Sequence, residues 1–373
     1  MKTTPSKIKV LIVDDSVLTL TILKSILEQS PDFNVVAMAR NGREALSILE
    51  TTDVDVISLD LHMPVMDGYE MTKILMAKRP KPILVTSISV QENKSTNIFK
   101  LLEAGAIDVF PKPEKGFEFG SVQALAYINK LRLISKVRVF KHRSPMNDND
   151  EEKKQYGHEV KINPNSYLNQ SQQSKSNLIT NNPELVAIGG STGAPEVFST
   201  ILSSLPKNYP LPILCVQHIS EGFINSMIEW LDSKCKLKVK LAEQGEKIQK
   251  GYVYFPKDGY HMTLTSQSYI NLTRQGDKVN GHMPSIDVLF ESLHSHHSKQ
   301  TIAIILTGMG KDGAYGINAL ARDGAITIAQ DKSTSAVYGM PLEALKLGLI
   351  KFVMSPPEIA DYLNCVTTEQ TCG

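Results

Sequence analysis

The chain has 373 residues, of which 42% are hydrophobic and 21% charged, so it is long enough for two domains of ordinary globular composition. Its 40 basic and 39 acidic residues leave a formal charge of +1, which excludes the strongly basic surface of a nucleic-acid or membrane-surface binder. Because the start of the sequence lacks a signal-peptide pattern and no apolar run approaches about 18 residues, we expect a cytoplasmic protein without membrane insertion.

Five short β-branched runs alternate with helical stretches over residues 8–135. The runs are "IKVLIVDD", "FNVVAMA", "VDVISLD", "PILVTS" and "AIDVFPK". Strands that alternate with helices in this way are typical of a parallel sheet. Residues 8–135 are therefore predicted to form a first α/β domain with five parallel strands.

The composition changes between residues 141 and 183, where Asn, Gln and Ser replace apolar residues, as in "NPNSYLNQSQQSKSNLITNNP". Such a segment cannot build a core of its own, and we expect a flexible linker. A second series of strands and helices follows over residues 184–364. Its predicted strands are "LVAIGG", "PILCVQH", "VYFPK", "TIAIILTG" and "AITIAQD".

Polar residues stand at the ends of four strands of the first domain. Asp14 and Asp15 end the first strand, Asp60 ends the third, and Thr86 and Lys112 end the fourth and fifth. The carboxyl ends of parallel strands meet at one edge of a sheet, so the three acids are predicted to share a pocket. Mg²⁺ would relieve their repulsion, and the hydroxyl and ammonium groups can contact a phosphoryl group. Capping of helices explains any single acid, but explains the whole set less well.

The motifs "VDDS", "LDLHMPVMDG", "T" and "KP" resemble the response-regulator receiver domain, a flavodoxin-like fold. The resemblance implies phosphorylation at Asp60. It implies that Mg²⁺ binds the carboxylates of Asp14, Asp15 and Asp60 and the backbone carbonyl of His62, and that Thr86 and Lys112 read out the phosphoryl group. His62 departs from the acidic residue more usual at this point in such domains, but only its backbone carbonyl is needed.

Three residues of the second domain follow predicted strands and suit nucleophilic catalysis. Ser191 stands in "LVAIGGSTGAP", His218 ends "PILCVQH", and Asp312 comes just after "TIAIILTG". A hydroxyl that attacks an ester needs a base, and the base needs a carboxylate to fix its tautomer. A helix cap at Ser191 or Thr192 is the structural alternative. The G-x-S-x-G match also suggests an α/β-hydrolase, but the chain order Ser, His, Asp argues against that fold.

The glycines of "LTGMGKDGAYG" permit two interpretations. Gly308, Gly310 and Gly313 fit the dinucleotide pattern G-x-G-x-x-G, and Asp331 follows at the required distance. However, a dinucleotide turn normally opens its domain, and this one comes late. We therefore favour a loop whose backbone passes close to substrate and whose Met309 amide faces an oxyanion.

The motifs "GGSTGAP", "VQHI", "GHMPSIDVLFESL", "LTGMGKDGAYGINAL" and "TIAQDKSTSAVYGMPLEALKLG" resemble the protein-glutamate methylesterases of bacterial chemotaxis, the CheB type. The resemblance implies a Rossmann-like, doubly wound catalytic domain with the triad Ser191, His218 and Asp312, and with Met309 and Thr192 in support. Two departures stand out: Ala194 replaces the usual glycine after "STG", and "VYFPKDGYHM" replaces a more common "APG" type of stretch. Neither affects the triad.

The two resemblances together imply a phosphorylation-activated hydrolase that demethylates glutamate methyl esters on chemoreceptors and also deamidates receptor glutamines. A chemotaxis histidine kinase is the expected phosphate donor, the receiver requires Mg²⁺, and the esterase step requires no cofactor. Two alternatives remain: a receiver joined to a catalytically idle scaffold domain, and an NAD-binding domain that uses the 308–313 loop.

Overall fold

The computed structural model describes residues 6–87, 96–112, 117–139, 183–274 and 276–368. Residues 141–182 of the predicted linker lie outside these ranges. Within them, no helix combines the length and the apolar character that crossing a bilayer requires.

The first domain is a five-stranded parallel sheet with strand order β2-β1-β3-β4-β5. This is the flavodoxin-like order, in which the direction of winding reverses beside β1. The elements are β1 (Ile8–Val13), α1 (Val17–Glu28), β2 (Phe33–Ala39), α2 (Gly42–Thr51), β3 (Val56–Asp60), α3 (Gly68–Lys78), β4 (Ile83–Ser87), α4 (Thr96–Glu103), β5 (Asp108–Pro111) and α5 (Val122–Ile134). All five predicted strands are present.

The second domain is built on a seven-stranded parallel sheet with strand order β14-β13-β12-β6-β7-β9-β8, and β10 and β11 form a separate antiparallel hairpin. The elements are β6 (Leu185–Gly190), α6 (Ala194–Ser203), β7 (Ile213–Gln217), α7 (Ile224–Lys234), β8 (Lys238–Leu241), β9 (Tyr252–Phe255), β10 (His261–Leu264), β11 (Ile270–Thr273), α8 (Ile286–His296), β12 (Thr301–Ile305), α9 (Ala314–Arg322), β13 (Ile326–Gln330), α10 (Met340–Lys346), β14 (Phe352–Met354) and α11 (Pro356–Thr368).

Both faces of the second sheet are covered by helices, as expected for a doubly wound fold. On β6, Val186 and Ile188 pack in one apolar cluster with α6, α7 and α11, whereas Leu185 and Ala187 pack in another with α8 and α9. Burial on both faces gives central parallel strands a continuous apolar sequence. The shorter β8 and β14 form the two edges, and their four and three residues give a weak periodic signal in the sequence.

The two domains contact each other through α4 and α7. The rings of Phe99 and Trp230 stack with centroids 5.3 Å apart, and Trp230 Nε1 donates a hydrogen bond of 2.6 Å to Glu103 Oε1. Lys234 Nζ lies 2.8 Å from the same carboxylate oxygen. Trp230 is only 2% exposed, so its burial comes from contact between the domains as well as from the core of its own domain.

Candidate functional site

Ser191 lies in the turn between β6 and α6 and is buried. Its N–H donates to the carbonyl of Thr307 at 3.0 Å, and its carbonyl accepts from Gln217 Nε2 at 2.9 Å. The N-cap of α6 is Gly193, with φ +79°, and no side chain caps the helix. The capping alternative for Ser191 and Thr192 is therefore wrong, and the hydroxyl of Ser191 is left for another role.

His218 directly follows β7, the strand that pairs with β6. Gly190 and Gln217 are partners in the register, and the N–H of His218 donates to the carbonyl of Gly190 at 2.9 Å. This pairing brings the residues after the two strands, Ser191 and His218, to the same edge of the sheet. Nδ1 of His218 is buried and has no hydrogen-bond partner among the described residues. The Ser191 hydroxyl therefore forms no hydrogen bond to this nitrogen in the structure.

Asp312 lies against His218 at this edge. Its Oδ2 is 2.9 Å from His218 Nε2 and accepts a hydrogen bond of 2.7 Å from the N–H of Ile286. Its Oδ1 accepts from Ser285 Oγ at 2.8 Å and from Asn280 Nδ2 at 3.1 Å. The carboxylate is only 1% exposed, so these donors replace the water that it has lost.

The charge of Asp312 is stabilised despite its burial. Burial alone would raise its pKa, but the close contact and charge of His218, together with the bonds from Ile286 and Asn280, outweigh burial and hold the pKa well below its usual range. A carboxylate that stays ionised can fix the tautomer of an adjacent imidazole and stabilise the imidazolium. With Nε2 turned toward Asp312, Nδ1 is the His218 nitrogen left to accept a proton from a hydroxyl.

Backbone groups of the loop after β12 lie beside Ser191. A Cβ added to Gly308 would come within 2.6 Å of Ser191 Cβ and 2.4 Å of Met340 Sδ, so only glycine allows this approach. The carbonyl of Gly308 accepts from the N–H groups of Gly339 and Met340, whereas the N–H of Met309 makes no hydrogen bond to the described residues. An unpaired amide in a loop that passes this close to the serine is what an oxyanion site requires.

The acidic residue required by the dinucleotide alternative has a different use in the structure. Asp331 accepts hydrogen bonds from Ser333 Oγ at 2.6 Å, from the N–H of Thr334 at 3.1 Å, and from the Thr334 hydroxyl. The carboxylate thus stabilises the turn that follows β13.

Four residues around His218 and Asp312 were not assigned a site role from the sequence. Ser285 caps α8 and also donates to Asp312, and Asn280 and Asp287 lie beside the same carboxylate. His261 Nδ1 accepts from the N–H of Ser285 at 3.1 Å, so the stretch "VYFPKDGYHM" contacts the residue that donates to Asp312. The Asn280–Gly281 pair is a hairpin-turn signal that could have been used.

His282, in the motif "GHMPSIDVLFESL", lies directly against His218. Its ring stacks on that of His218, with centroids 3.7 Å apart and planes 4° apart. Burial and the neighbouring His218 lower the pKa of His282 to about 4. His282 is therefore neutral at neutral pH.

The acidic residues of the first domain come together as predicted from their positions. Oxygen atoms of Asp14, Asp15 and Asp60 lie within 4.8 Å of one another. Lys112 Nζ lies 2.9 Å from Asp14 Oδ2 and 2.7 Å from Asp60 Oδ2. Thr86 is the register partner of Asp60 on β4, and its hydroxyl is buried without a hydrogen-bond partner among the described residues.

The electrostatics of this pocket are set by burial and by one lysine. Burial raises the pKa of Asp60, and Asp14 adds to that rise, while Lys112 opposes it. The two carboxylates in turn raise the pKa of Lys112 against the effect of burial. Three hard oxygen ligands in one small volume fit Mg²⁺, and the backbone of the exposed His62 lies just beyond Asp60.

The chain matches two family models. Residues 186–363 match the CheB methylesterase family, and residues 10–119 match the response regulator receiver domain. The first match spans the sheet that carries Ser191, His218 and Asp312, and the second spans the sheet that carries Asp60.

Full-length relatives cover both parts of the chain. The protein-glutamate methylesterase/protein-glutamine glutaminase 1 of Syntrophus aciditrophicus is 37% identical over 95% of this chain and 97% of that protein. The corresponding protein 3 of Hahella chejuensis is 38% identical over 95% of this chain and 97% of its own length. Protein 4 of Geobacter metallireducens is 34% identical over 97% of this chain and 100% of its own length.

Proposed function

This chain belongs to the CheB methylesterase family, and from that premise we propose that it hydrolyses glutamate methyl esters on chemoreceptors and is activated by phosphorylation at Asp60. It also deamidates receptor glutamines, in keeping with the second activity in the names of its relatives. We place this work in the cytoplasm, where a chemotaxis histidine kinase supplies the phosphoryl group.

The observation that carries the proposal is the contact of 2.9 Å between His218 and Asp312 at the edge where Ser191 also lies. Ser191 Oγ attacks the ester carbonyl, and His218 accepts its proton at Nδ1. Asp312 holds the ring and stabilises the imidazolium through Nε2. The N–H of Met309 donates to the oxygen that becomes negative.

Collapse of the tetrahedral intermediate breaks the bond to methoxide, which leaves as methanol with the proton from His218. Water then attacks the acyl-serine, again with His218 as base, and releases glutamate and free Ser191. A glutamine substrate follows the same course and loses ammonia. Thr192 supports the site from the main chain, since its carbonyl accepts from Thr307 Oγ1 at 3.1 Å beside the loop after β12.

In the receiver, Asp14, Asp15, Asp60 and the carbonyl of His62 would hold Mg²⁺, which when bound neutralises charge on the phosphoryl group. Asp60 accepts the phosphoryl group, and Lys112 then exchanges its carboxylate contact for a phosphoryl oxygen. The Thr86 hydroxyl, unpaired among the described residues, donates to another phosphoryl oxygen.

Two contacts and one charge effect support control of the esterase by the receiver. The α4–α7 interface joins the two domains, and Ala336 of the second domain packs against the apolar cluster of α1 and α5. The charge of Lys130 on α5 adds to the lowering of the pKa of His282, beyond the larger effects of burial and His218. Phosphorylation loosens this packing and shifts the population toward open molecules.

Methanol release from methylated receptor membranes tests the proposal. Ser191→Ala should lose nearly all activity, whereas Thr200→Ala, which removes an exposed hydroxyl from the adjoining helix, should match the wild type. Asp60→Asn should keep basal activity and lose stimulation by a phosphodonor. A fully active Ser191→Ala would reject the catalytic assignment, and an inactive wild type would favour an idle scaffold.

A further inference from the structure

Residues 279–282 form a tight turn above the catalytic edge. The N–H of Val279 donates to the carbonyl of His282 at 3.1 Å, and the reverse bond is 2.9 Å. Asn280 and Gly281 have φ values of +52° and +84°. Positive φ at both central positions is the type I′ arrangement, for which Asn-Gly is the preferred sequence. The local sequence therefore favours the observed turn.

The first central residue of the turn connects two buried carboxylates. Asn280 Nδ2 donates to Asp287 Oδ2 at 2.8 Å and to Asp312 Oδ1 at 3.1 Å. Asp287 Oδ1 accepts from the N–H of Gly316 at 2.8 Å, so both of its oxygens are engaged. The amide group uses its two hydrogens on two anions that would otherwise repel each other.

The last residue of the turn covers the imidazole of the triad. The His282 ring lies flat on His218 at a centroid distance of 3.7 Å. The turn bonds fix the backbone of His282, and the stacked ring restricts the plane in which His218 can lie. Since His282 is neutral, it places no like charge against the imidazolium that forms during the reaction.

We propose that the turn Val279–His282 is a positioning element for the acid–base pair, with Asn280 holding Asp312 and His282 holding the ring of His218. This inference depends on the catalytic roles proposed above for His218 and Asp312. The turn contacts both members of the pair: Asn280 contacts Asp312, and His282 contacts His218. The type I′ geometry fixes the distance between Asn280 and His282. Neither residue exchanges a proton with substrate in this scheme.

Asn280→Gly is the sharpest test, because glycine suits the positive φ and only the carboxamide is lost. A misplacement of about 1 Å at a catalytic group can cost roughly 100-fold in rate, so we expect kcat to fall about 10- to 100-fold with KM unchanged. The His218 imidazole ¹⁵N resonances should shift in the same variant. An unchanged kcat and unchanged resonances would overturn the role of Asn280.

His282 requires a pair of variants. His282→Ala should lower kcat about 10-fold, and His282→Phe, which keeps a flat ring on His218, should recover most of that loss. A Phe variant as slow as the Ala variant would overturn the stacking role and would indicate that the imidazole itself acts in the reaction.

Gly281→Ala and Gly276→Ala form a matched control for the turn. Both glycines have positive φ, at +84° and +110°, and neither has an atom within 4 Å of an added Cβ. Strain at position 281 should lower kcat, whereas strain at position 276 should leave kcat unchanged. Equal kcat values would overturn the role of the turn. Ser191→Ala, assayed alongside, separates the turn proposal from the esterase mechanism. If this variant were active, the esterase mechanism itself would be rejected.

Discussion

The two sheet edges of this protein handle buried carboxylates in different ways. In the receiver, Asp14 and Asp60 share a single cation, Lys112, at 2.9 and 2.7 Å. In the esterase, Asp312 is held by His218 and by neutral donors from Ser285, Asn280 and the backbone. The first arrangement leaves oxygen ligands free for a metal and a phosphoryl group. The second uses nearly every lone pair of Asp312 to keep one imidazole in place.

The difference fits the roles proposed for the two sites. A phosphorylation site has to change its charges during its cycle, so a mobile lysine that can exchange partners suits it. A general-base pair has to keep its geometry while charge moves across it, and fixed neutral donors hold a carboxylate without competing for the proton. The sites should therefore respond differently when one carboxylate or cation is removed.

The largest expected effect is at Asp312. In Asp312→Asn the amide cannot accept from both His218 and its present donors. The His218 imidazole is then no longer held in one tautomer, and the imidazolium loses its negative partner. We expect kcat for methanol release to fall by about 10³- to 10⁴-fold. Asp323→Asn, an exposed carboxylate on the same domain, is the control and should have wild-type kcat. A loss below tenfold at Asp312 would separate the His218 contact from catalysis.

Removal of Mg²⁺ should affect the receiver site and leave the esterase site unchanged. Chelation with EDTA should abolish stimulation by a small phosphodonor while basal methanol release continues, because the oxygen ligands of Asp14, Asp15 and Asp60 belong to the receiver alone. Added Mg²⁺ should restore stimulation, and Asp15→Asn should require more Mg²⁺ to do so. Loss of basal activity with EDTA would contradict the separation of the two sites.

The sequence predicted the parts of both sites that follow strands directly. Asp14, Asp60 and Thr86 lie at or next to the ends of strands of one sheet, and Ser191 and His218 follow paired strands of the other, so the sheet alone brings them together. For the same reason the parallel α/β fold was predictable from alternating apolar runs.

The remaining support of the esterase site comes from outside its main sheet. Asn280 and His282 stand in a turn, Ser285 caps a helix, and His261 belongs to the β10–β11 hairpin. Strand periodicity does not fix where such residues lie relative to a sheet edge, because their position depends on tertiary packing. The edge strands β8 and β14 were missed because they are short and also mostly not buried, whereas the equally short β9 is largely buried and was predicted.

The pH dependence of stability should show the repulsion between Asp287 and Asp312, which Asn280 reduces by donating to both carboxylates. Burial, with a smaller contribution from Asp312, raises the pKa of Asp287 from 3.8 to about 6. The folded protein therefore binds this proton more tightly than the unfolded chain, and stability falls as pH rises from about 4 to about 6. The full cost above that range is at most about 3 kcal/mol.

Asp287→Asn removes this ionisation, although it also loses part of the acceptor capacity toward Gly316 and Asn280. In thermal unfolding, the melting temperature of the wild type should fall relative to that of the variant as pH rises from 4 to 7. A difference in melting temperature that stays constant with pH would show that Asp287 does not titrate in this range.

The smallest expected effect is at the interface between the domains, where Glu103 accepts from Trp230 and pairs with Lys234. Glu103→Gln keeps an acceptor for the indole N–H and loses the ion pair. This pair is partly exposed, with side-chain accessibilities of 30% for Glu103 and 46% for Lys234, so it is worth at most about 1 kcal/mol. The closed population should decrease accordingly, and basal activity should rise by up to about fivefold.

The phosphorylated enzyme should show little change in Glu103→Gln, because its domains are already loosened. Lys346→Gln breaks an exposed ion pair with Glu343 on α10, away from the α4–α7 interface, and serves as the matched control with unchanged basal activity. Methanol release without and with a phosphodonor measures both states. Equal basal rates in Glu103→Gln and wild type would mean that the α4–α7 contact holds the domains together without restraining the esterase, and control would then depend on the packing of Ala336 against the apolar cluster of α1 and α5.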